Sequence, residues 1–494
     1  MAETIDADVC IVGAGIAGLF AALSLPESLR VVVLDKGTLG SGSSPLAQGG
    51  LAAAMGPDDS PELHLADTVA AGEDLVDRRA AEVMCRDAPD RVRDLIELGC
   101  DFDGEPGGDL HRAREGGQSV ARSVHRADAT GAEIVRALRR AAAPRVHRVE
   151  GLARGLAIVE GRCRGVWVAA EDGLLLVRAG VTLLASGGAG ALFASTTNPP
   201  AATGDALGLA ALAGARLADL EFVQFHPTAL AVPESPRPLL TEALRGAGAR
   251  LVDRDGRRFL EGVHPDAELA PRHVVTRAIL EAGEAFLDAT ALGEALLEEH
   301  FPTAVAACRA RGFDLAAEPV PVAPAAHYLI GGVATDLAGR ASLPGLFAAG
   351  ECAATGVHGA NRMAGNSLSE AVVFGRRAAL AMAAELPIGG DPEWEPAPPL
   401  PYGSDPSDGL ERVVEAVTLG AGPIRNATSS RRALAVLDEL ADARGPSASA
   451  SVDAGRLLVR GALARAETRG VHVRSDHPRT ELALDGIHLS VSMA

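Results

Sequence analysis

The segment ADVCIVGAGIAGLFAALSL, residues 7–25, decides the fold of this chain. Residues 7–12 have the composition of a buried strand, and the apolar residues that follow the glycines have the pattern of a helix. Between them, Gly13, Gly15 and Gly18 allow a tight turn, close approach of a pyrophosphate, and packing of the helix on the strand. A second strand over residues 31–34 ends at Asp35, where such a fold places an acid for a ribose hydroxyl. We therefore predict a nucleotide-binding βαβ unit, although this motif alone does not distinguish NAD from FAD.

The length and charge of the chain limit what else it can be. Its 494 residues are 47% hydrophobic and 22% charged, which is typical of a folded protein with two or three domains. A formal net charge of −19 argues against a nucleic-acid or acidic-membrane partner, because both bind basic surfaces. The same charge repels anions at long range, so an anionic substrate would need a local cluster of Arg and His.

The cysteines and the apolar segments favour a cytoplasmic protein that holds no metal. Six cysteines stand singly, with no C-x-x-C pair, which excludes the usual zinc and iron–sulfur spacings and favours reduced thiols. Residues 1–10 contain acids and no basic region, so we expect no secretory signal. The most apolar region, residues 174–193, is interrupted by Arg178 and by glycines, so we expect no membrane span.

The order of the elements predicts an α/β fold with an insertion and a helical tail. Strands and helices alternate in a doubly wound nucleotide-binding domain, which a stretch of short strands and prolines interrupts as an inserted α+β domain. A Pro-rich linker then precedes three amphipathic segments, 410–419, 429–443 and 451–469, which predict a C-terminal helical bundle. The predicted ranges are 1–218 and 333–390 for the nucleotide-binding domain, 219–332 for the inserted domain, 391–408 for the linker, and 409–494 for the helical domain.

Two further motifs point to a cofactor crevice. In GLFAAGE, residues 345–351, a buried strand delivers Glu351 at its carboxyl end, where a doubly wound sheet binds its ligand. In SSPLAQGG, residues 43–50, two glycines let the backbone approach a flat ring while Gln48 offers an amide. Taken singly, Glu351 could equally be a solvated acid at a helix start, and residues 43–50 a plain flexible loop.

Together the motifs resemble those of the flavoprotein family of succinate dehydrogenase, fumarate reductase and L-aspartate oxidase. The similarity runs from end to end, and the motifs stand in the family's order: GAGIAG, AQGG, REGGQS, ADATG, ASGGAG, TGDALGLA, EFVQFHPTAL, LLTEALRGAGARL, APRHVVTRAI, HYLIGGVATD, GLFAAGE and HGANRMAGNSLSEA. The resemblance implies that FAD is the cofactor. It implies the following FAD-binding residues: Gly13, Ala14, Gly15, Ile16, Ala17, Gly18, Asp35, Lys36, Ser43, Ser44, Ala47, Gln48, Gly49, Gly50, Asp205, Glu351, Ser367 and Leu368.

The resemblance also implies a substrate site for a small dicarboxylate. In such proteins the inserted domain closes over the substrate, and the implied site residues are Glu115, Gln224, His226, Thr241, Glu242, Arg272, His327 and Arg362. Two arginines and two histidines in this set supply the local positive charge that the acidic surface makes necessary, and they can grip two carboxylates. Taken singly, each has a structural alternative, because a lone His is usually a packed imidazole and an Arg on a helix usually pairs with a Glu.

Two positions favour the branch of the family that oxidises aspartate. The respiratory enzymes commonly carry a histidine five residues before the Gln of A-Q-G-G, bonded covalently to the flavin; here that residue is Ser43, so we expect non-covalent FAD. Glu115 in REGGQS is typically neutral in the succinate and fumarate branch, whereas aspartate oxidases resemble this chain in carrying a glutamate. A carboxylate there would attract the ammonium of aspartate and repel a plain dicarboxylate. The structural alternative is a solvent-exposed loop acid.

The resemblance implies the oxidation of L-aspartate to iminosuccinate, with oxygen or fumarate as acceptor, as the first step of quinolinate formation for NAD synthesis. Hydride passes to the flavin and a proton leaves the substrate. Arg272 is the candidate for proton transfer or charge stabilisation, with Glu242 close by, because a guanidinium pKa above about 12 makes an awkward base.

Two other functions stay open at this point. One is a flavoprotein subunit of succinate dehydrogenase or fumarate reductase, which would need an iron–sulfur partner; Ser43 and Glu115 count against it. The other is a non-catalytic flavin-binding protein that uses the helical tail as its interface, which the complete Arg and His set argues against. The sequence leaves open a transient contact between the tail and quinolinate synthase.

Overall fold

The fold is built from eighteen strands and thirteen α-helices in the part of the chain that the structure, a computed structural model, describes: residues 3–37, 42–105, 107–387, 409–444 and 450–493. The strands are β1 (Glu3–Val12), β2 (Val31–Asp35), β3 (Leu51–Ala52), β4 (Arg112–Ala113), β5 (Ser123–Val124), β6 (His147–Glu150), β7 (Leu152–Val159), β8 (Arg162–Ala170), β9 (Gly173–Leu184), β10 (Leu217–Ala218), β11 (Val223–Leu230), β12 (Arg250–Val252), β13 (Ala285–Asp288), β14 (Val320–Leu329), β15 (Gly332–Ala334), β16 (Leu346–Ala348), β17 (Ala353–Ala354) and β18 (Ser490–Val491). The helices are α1 (Ile16–Ser24), α2 (Pro61–Ala71), α3 (Arg78–Glu97), α4 (Thr130–Ala142), α5 (Asp205–Leu212), α6 (Glu242–Gly246), α7 (Arg272–Ala282), α8 (Glu294–His300), α9 (Pro302–Arg309), α10 (Asn366–Glu385), α11 (Leu410–Ala421), α12 (Ala427–Arg444) and α13 (Ala450–Ala464). The linker predicted over residues 391–408 lies outside the described residues.

The central sheet has seven strands and is mixed, whereas the sequence predicted a doubly wound sheet. Strands β6, β2, β1 and β9 run parallel in that order, and β16 also pairs in parallel with β9. The difference arises because β9 is twelve residues long and has two partners on one side. Its last residues pair with β16, with Leu184 opposite Ala348, while its first residues continue an antiparallel meander through β8 to β7. The short turns of this meander can only join antiparallel strands.

The two faces of the central sheet are covered by different layers. One face packs on α1, α3, α4 and α10, with Ile11, Phe20 and Phe374 in the shared core. The other face packs on α5 and on α11 to α13, so that Leu184 and Leu457 belong to one continuous buried cluster. The C-terminal helices therefore share the core of the nucleotide-binding domain, and the first and second halves of the chain fold around one sheet.

The chain between β10 and β15 forms a second lobe with its own core. Four antiparallel strands in the order β11, β14, β13 and β12 carry helices α6 to α9, and Leu251, Ile279 and Leu287 lie in a buried cluster that is separate from the central sheet. We call these residues the inserted lobe and the rest of the described chain the main lobe. The insertion leaves after β10 and returns at β15, two adjacent strands of one small sheet, so both crossings lie side by side.

The C-terminal tail is helical only as far as Ala464, so the prediction of a helical domain over residues 409–494 is wrong for its last part. Residues 465–493 contain no α-helix and are held instead by buried ion pairs. Arg465 contacts Glu221 at 2.6 Å and Glu467 at 2.8 Å. Arg474 donates to the carbonyl oxygens of Ala462, at 3.1 Å, and of Arg465, at 2.8 Å. Arginine side chains thus satisfy the carbonyls at the end of α13, where a further helical turn would otherwise do so.

The described residues include no helix that is long and apolar enough to cross a membrane. All six cysteines are buried, unpaired thiols. Burial raises the pKa of the Cys85 and Cys352 thiols to about 12, which keeps them protonated and unreactive.

Asp128 joins the two lobes directly. Its carboxylate is buried just before α4 of the main lobe, and it accepts hydrogen bonds from the backbone N–H groups of Thr303, at 3.0 Å, and Ala304, at 2.9 Å. These are the first amides of α9 in the inserted lobe, so an acid from one lobe caps a helix of the other.

We predict that Asp128→Ala loosens the docking of α9, because the two amides lose their acceptor. Amide hydrogen exchange at residues 303–304 should accelerate about fivefold, which corresponds to the usual loss of a helix cap. Asp128→Asn is the matched control, since its remaining oxygen still accepts one bond and should retain part of the protection. Unchanged exchange in Asp128→Ala would show that the cap does not hold the lobes together.

Candidate active site

A cavity of about 610 Å³ opens at the carboxyl ends of β1, β2, β9 and β16. Fifteen of the eighteen predicted cofactor residues line it: Gly13, Ala14, Gly15, Ile16, Ala17, Asp35, Lys36, Ser43, Ser44, Ala47, Gln48, Asp205, Glu351, Ser367 and Leu368. The other three, Gly18, Gly49 and Gly50, lie outside the lining. A Cβ on Gly18 would collide with the carbonyl oxygen of Gly13, so Gly18 serves the packing of α1 on β1.

The turn between β1 and α1 has a backbone that only glycine adopts easily. Gly13 has a φ of +115°, and a Cβ there would collide with the carbonyl oxygen of Ala185 at the end of β9. Helix α1 therefore starts directly above the strand ends, with its N-terminus toward the crevice. Its first amide, that of Ile16, donates to the Ser44 hydroxyl at 3.2 Å.

The polar atoms of the crevice fit a dinucleotide. Asp35 Oδ2 and Ser186 Oγ are both buried there without a hydrogen-bond partner among the described residues, although Arg148 lies 3.9 Å from the former atom. Such unsatisfied atoms suit the hydroxyl and phosphate groups of a nucleotide. Lys36 bridges the crevice to Asp205, at 2.5 Å, and fixes the start of α5. The crevice is thus able to hold FAD.

Glu351 and the loop over residues 43–50 have defined contacts. Glu351 lines the crevice and accepts a bond from the Leu329 amide at 3.0 Å, and burial raises its pKa to about 7. The Ser43 hydroxyl donates to Asn198 at 3.1 Å, and the Gln48 amide donates to the Leu239 carbonyl of the inserted lobe at 2.9 Å. The alternatives of a solvated acid and of a plain flexible loop therefore do not describe these residues.

Next to this crevice, the inserted lobe brings an arginine and a glutamate together. Strand β11 presents Gln224, α6 begins at Glu242, and α7 begins at Arg272. Arg272 Nε donates to Glu242 at 2.6 Å, and its Nη1 donates to the Gln224 side chain at 2.9 Å. Thr241 accepts from the Ala243 amide at 3.3 Å and so caps α6, which holds Glu242 in place. Two bonds to different elements fix the plane of the Arg272 guanidinium.

Glu242 is ionised and is shared between cations. Burial would raise the pKa of this carboxyl, but the charges of Arg272 and Arg245 outweigh that effect and lower it to about 2. Arg245 lies 3.5 Å away, and the Gly116 amide of the main lobe donates to the other carboxylate oxygen at 2.8 Å. Sequence reasoning did not select Arg245, although it stands three residues after Glu242 in the same motif.

The two histidines of the predicted set face each other and are neutral. The ring centroids of His226 and His327 are 5.1 Å apart. Burial, together with the charge of Arg272, holds the pKa of both rings well below the ordinary value. The Thr228 amide donates to His226 Nδ1 at 3.3 Å, so the neutral ring carries its proton on Nε2. His327 Nδ1 lies 2.9 Å from the Thr197 hydroxyl.

Arg362 is a buried cation without an ion pair among the described residues. Its Nη1 donates to Ser367 at 3.1 Å, and its Nε has no hydrogen-bond partner there. Burial lowers its pKa to about 10, which leaves the guanidinium charged at neutral pH. A buried unpaired charge is costly, so this arrangement favours an anionic ligand. The charges of Arg272 and Arg362 both lower the pKa of the two histidine rings, so these four side chains form one cluster.

Glu115 is buried beside the glycines of the A-Q-G-G motif. It is 3% exposed and accepts the Gly50 amide at 3.0 Å, so the alternative of a solvent-exposed loop acid is wrong. A Cβ on Gly49 would lie 3.1 Å from its other oxygen. Gln118 accepts the backbone amide of Glu115 at 3.0 Å and holds the loop. Burial raises the pKa of this carboxyl, and the nearby Glu242 acts in the same direction.

The chain is similar in sequence and in structure to proteins that are already known. Residues 8–368 match the family described as FAD binding domain. An L-aspartate oxidase of Caulobacter vibrioides is 47% identical over 95% of this chain and 93% of its own length, and one of Streptomyces coelicolor is 46% identical over 96% and 89%. A variant of the E. coli quinol fumarate reductase chain FrdA superposes with a TM-score of 0.89 at 29% identity, covering 99% of this chain and 95% of its own.

Another solved structure with a similar fold is Sdh1 of Mycobacterium smegmatis in complex with UQ1. It superposes with a TM-score of 0.85 at 30% identity, covering 99% of this chain and 92% of its own. The chain belongs to the FAD-binding flavoprotein family that contains the succinate dehydrogenases, the fumarate reductases and the L-aspartate oxidases. Its identity to the two L-aspartate oxidases is higher than its identity to the two solved structures.

We predict that Gly13→Ala weakens FAD binding at least about tenfold, because the added Cβ meets the Ala185 carbonyl and the φ of +115° becomes strained. The measurement is the dissociation constant of FAD from its fluorescence quenching. Gly107→Ala is the control, since that glycine has open space around it and an ordinary φ. Equal FAD affinity in the Gly13 variant and the wild type would contradict the assignment of the crevice.

Proposed function

We propose that this chain is an FAD-dependent enzyme that oxidises L-aspartate to iminosuccinate. The observation that supports this most is the juxtaposition of one buried carboxylate, Glu115, with a cluster of buried cations that includes Arg272 and Arg362. A ligand that satisfies both must carry two carboxylates and one ammonium, which is the charge pattern of aspartate. The L-aspartate oxidases among the relatives agree with this assignment.

The cations serve to bind and orient the substrate. Arg362 has an N–H donor without a partner among the described residues, and it binds one carboxylate of the substrate. The Nε2–H of neutral His226 and the ring of His327 offer hydrogen bonds to the other carboxylate. Glu115 pairs with the ammonium. Three contacts select one enantiomer, because they determine whether the single hydrogen on Cα faces the cofactor.

FAD, when bound in the crevice, supplies the acceptor for the hydride. The contribution of Arg272 is electrostatic in this proposal: its guanidinium is fixed by Glu242 and Gln224, and it would stabilise the negative charge that leaves the substrate with the hydride. The expectation that Arg272 itself transfers the proton is the second option, and Glu242, with a pKa of about 2, is too weak a base to replace it.

The inserted lobe acts as a cap, which is supported by the bonds from Gly116 to Glu242 and from Gln48 to Leu239 across the two lobes. FAD is held non-covalently, since Ser43 offers no ring nitrogen for a covalent link. The product imine hydrolyses in water, which favours its transient transfer to quinolinate synthase. We infer a cytoplasmic setting and oxygen or fumarate as the electron acceptor.

We predict that Glu115→Gln lowers kcat/KM for L-aspartate at least about a hundredfold, because the ammonium then enters a buried site without its counter-charge. Turnover of succinate should change by less than about threefold or rise, since it has no ammonium. Glu97→Gln at the exposed end of α3 removes the same charge and should leave both substrates unaffected. A parallel loss for both substrates would indicate that Glu115 supports the fold and does not recognise the amine.

The pH dependence follows from the same contact. Because burial raises the pKa of Glu115, this group takes up a proton at a higher pH than an ordinary glutamate. Aspartate binding is therefore strongest above that pKa, and KM for aspartate should increase as the pH falls through it. The increase should be absent from Glu115→Gln, and a wild-type KM that stays flat down to the ordinary range of glutamate would contradict the pairing.

For Arg272 we predict that replacement by leucine slows flavin reduction by aspartate at least about a hundredfold in anaerobic stopped-flow mixing, because charge stabilisation at the reacting centre is lost. The control is Arg277→Leu on the same helix, where the side chain is 49% exposed and pairs with Glu281. A rate near that of the wild type in Arg272→Leu would remove this residue from the mechanism.

A further inference from the structure

The aromatic ring of Tyr328 stacks on Arg362. The guanidinium carbon lies 4.6 Å from the ring centroid, and the two residues are 7% and 4% exposed, respectively. Arg362 has no ion pair among the described residues, whereas Arg272 and Arg245 share Glu242. The π face of Tyr328 thus takes the place that a carboxylate usually has beside a buried arginine.

A carboxylate is nevertheless close to this pair. Glu370 on α10 is fully buried and accepts the Tyr328 hydroxyl at 2.6 Å. It also contacts His358 Nε2 at 3.0 Å and the Thr355 hydroxyl at 2.5 Å. Burial opposes ionisation of Glu370, but His358 and these hydrogen bonds hold its pKa below the ordinary value, so the group is anionic. The ring presents its face to the cation and its hydroxyl to the anion.

We propose that Tyr328 is a positioning residue that separates Arg362 from Glu370 and so keeps the arginine's charge and donors available for a carboxylate of the substrate. The inference rests on the proposed dicarboxylate substrate. A guanidinium that reached Glu370 would form an ion pair, and its charge would then be neutralised before any ligand arrived. The stack with Tyr328 stabilises the cation without neutralising it, because the ring quadrupole has no net charge.

The hydroxyl and the ring have different tasks in this arrangement. The bond to Glu370 orients the ring, and the ring holds Arg362. Removing only the hydroxyl leaves the π face and the steric separation, while replacing the ring with an aliphatic side chain removes both. A substitution pair at one position therefore separates the two contributions, and a neutral residue at Glu370 tests the competing ion pair.

The test measures the dissociation constant of malonate, a dicarboxylate that is not oxidised, by calorimetry on the FAD-loaded protein, with the FAD content of each variant determined first. Tyr328→Leu should weaken malonate binding roughly tenfold, because Arg362 then pairs with Glu370. Tyr328→Phe should stay within about threefold of the wild type, since it keeps the ring. The double variant Tyr328→Leu with Glu370→Gln should recover most of the lost affinity, because the competing carboxylate is gone.

A purely structural role predicts the opposite for the double variant, since two changes in a buried cluster would damage the site more than one. Equal malonate affinity in Tyr328→Leu and the wild type, or no recovery in the double variant, overturns the proposal. Glu370→Gln alone provides an independent check if Tyr328→Leu does not fold: it should bind malonate within about threefold of the wild type, and a tenfold loss overturns the proposal. A wild-type protein that binds malonate but does not oxidise aspartate contradicts the proposed function and leaves the role of Tyr328 intact.

Discussion

Buried positive charge that the protein neutralises only in part is the constraint on which this structure depends. Arg272 and Arg245 share the carboxylate of Glu242, and Arg362 stacks on a ring in place of an ion pair. The chain as a whole carries a net charge of −19, so this cluster is a local exception to its electrostatics. Desolvated charges destabilise a fold unless they are compensated, and an anionic ligand compensates these. Binding of a dicarboxylate relieves this destabilisation, and the free energy that is recovered contributes to the affinity for the ligand.

The two lobes complete this site together. The main lobe provides Glu115 and Arg362, while the inserted lobe provides Gln224 and Arg272. The Gln224 amide donates to the Arg362 carbonyl at 2.8 Å, so strand β11 of the inserted lobe also holds the loop that carries Arg362. Charge balance and lobe docking are consequently linked, because separating the lobes would break the bonds that orient the arginines. The crevice and the dicarboxylate site share one boundary, where residues of the A-Q-G-G motif contact Glu115.

The sequence predicted those parts of the molecule that local patterns determine. The turn after β1 and helix α1 followed from periodicity, and the grouping of two arginines with two histidines followed from the resemblance of ordered motifs. The mixed sheet, the irregular tail and the separation of Arg362 from Glu370 did not, because they depend on partners far apart in the chain. Glu221 and Arg465, for example, are 244 residues apart, and no periodicity shows that they meet. The ion pairs of the tail resembled an amphipathic helical face in the sequence for the same reason.

The site is expected to select the charge pattern of an amino diacid. Anaerobic mixing of the FAD-loaded protein with L-aspartate, D-aspartate or succinate, followed by flavin absorbance, measures this selection directly. We expect rapid bleaching with L-aspartate and bleaching at least about a hundredfold slower with the other two, since D-aspartate has the wrong handedness and succinate lacks the ammonium that pairs with Glu115. Equal or faster bleaching with succinate would contradict this expectation.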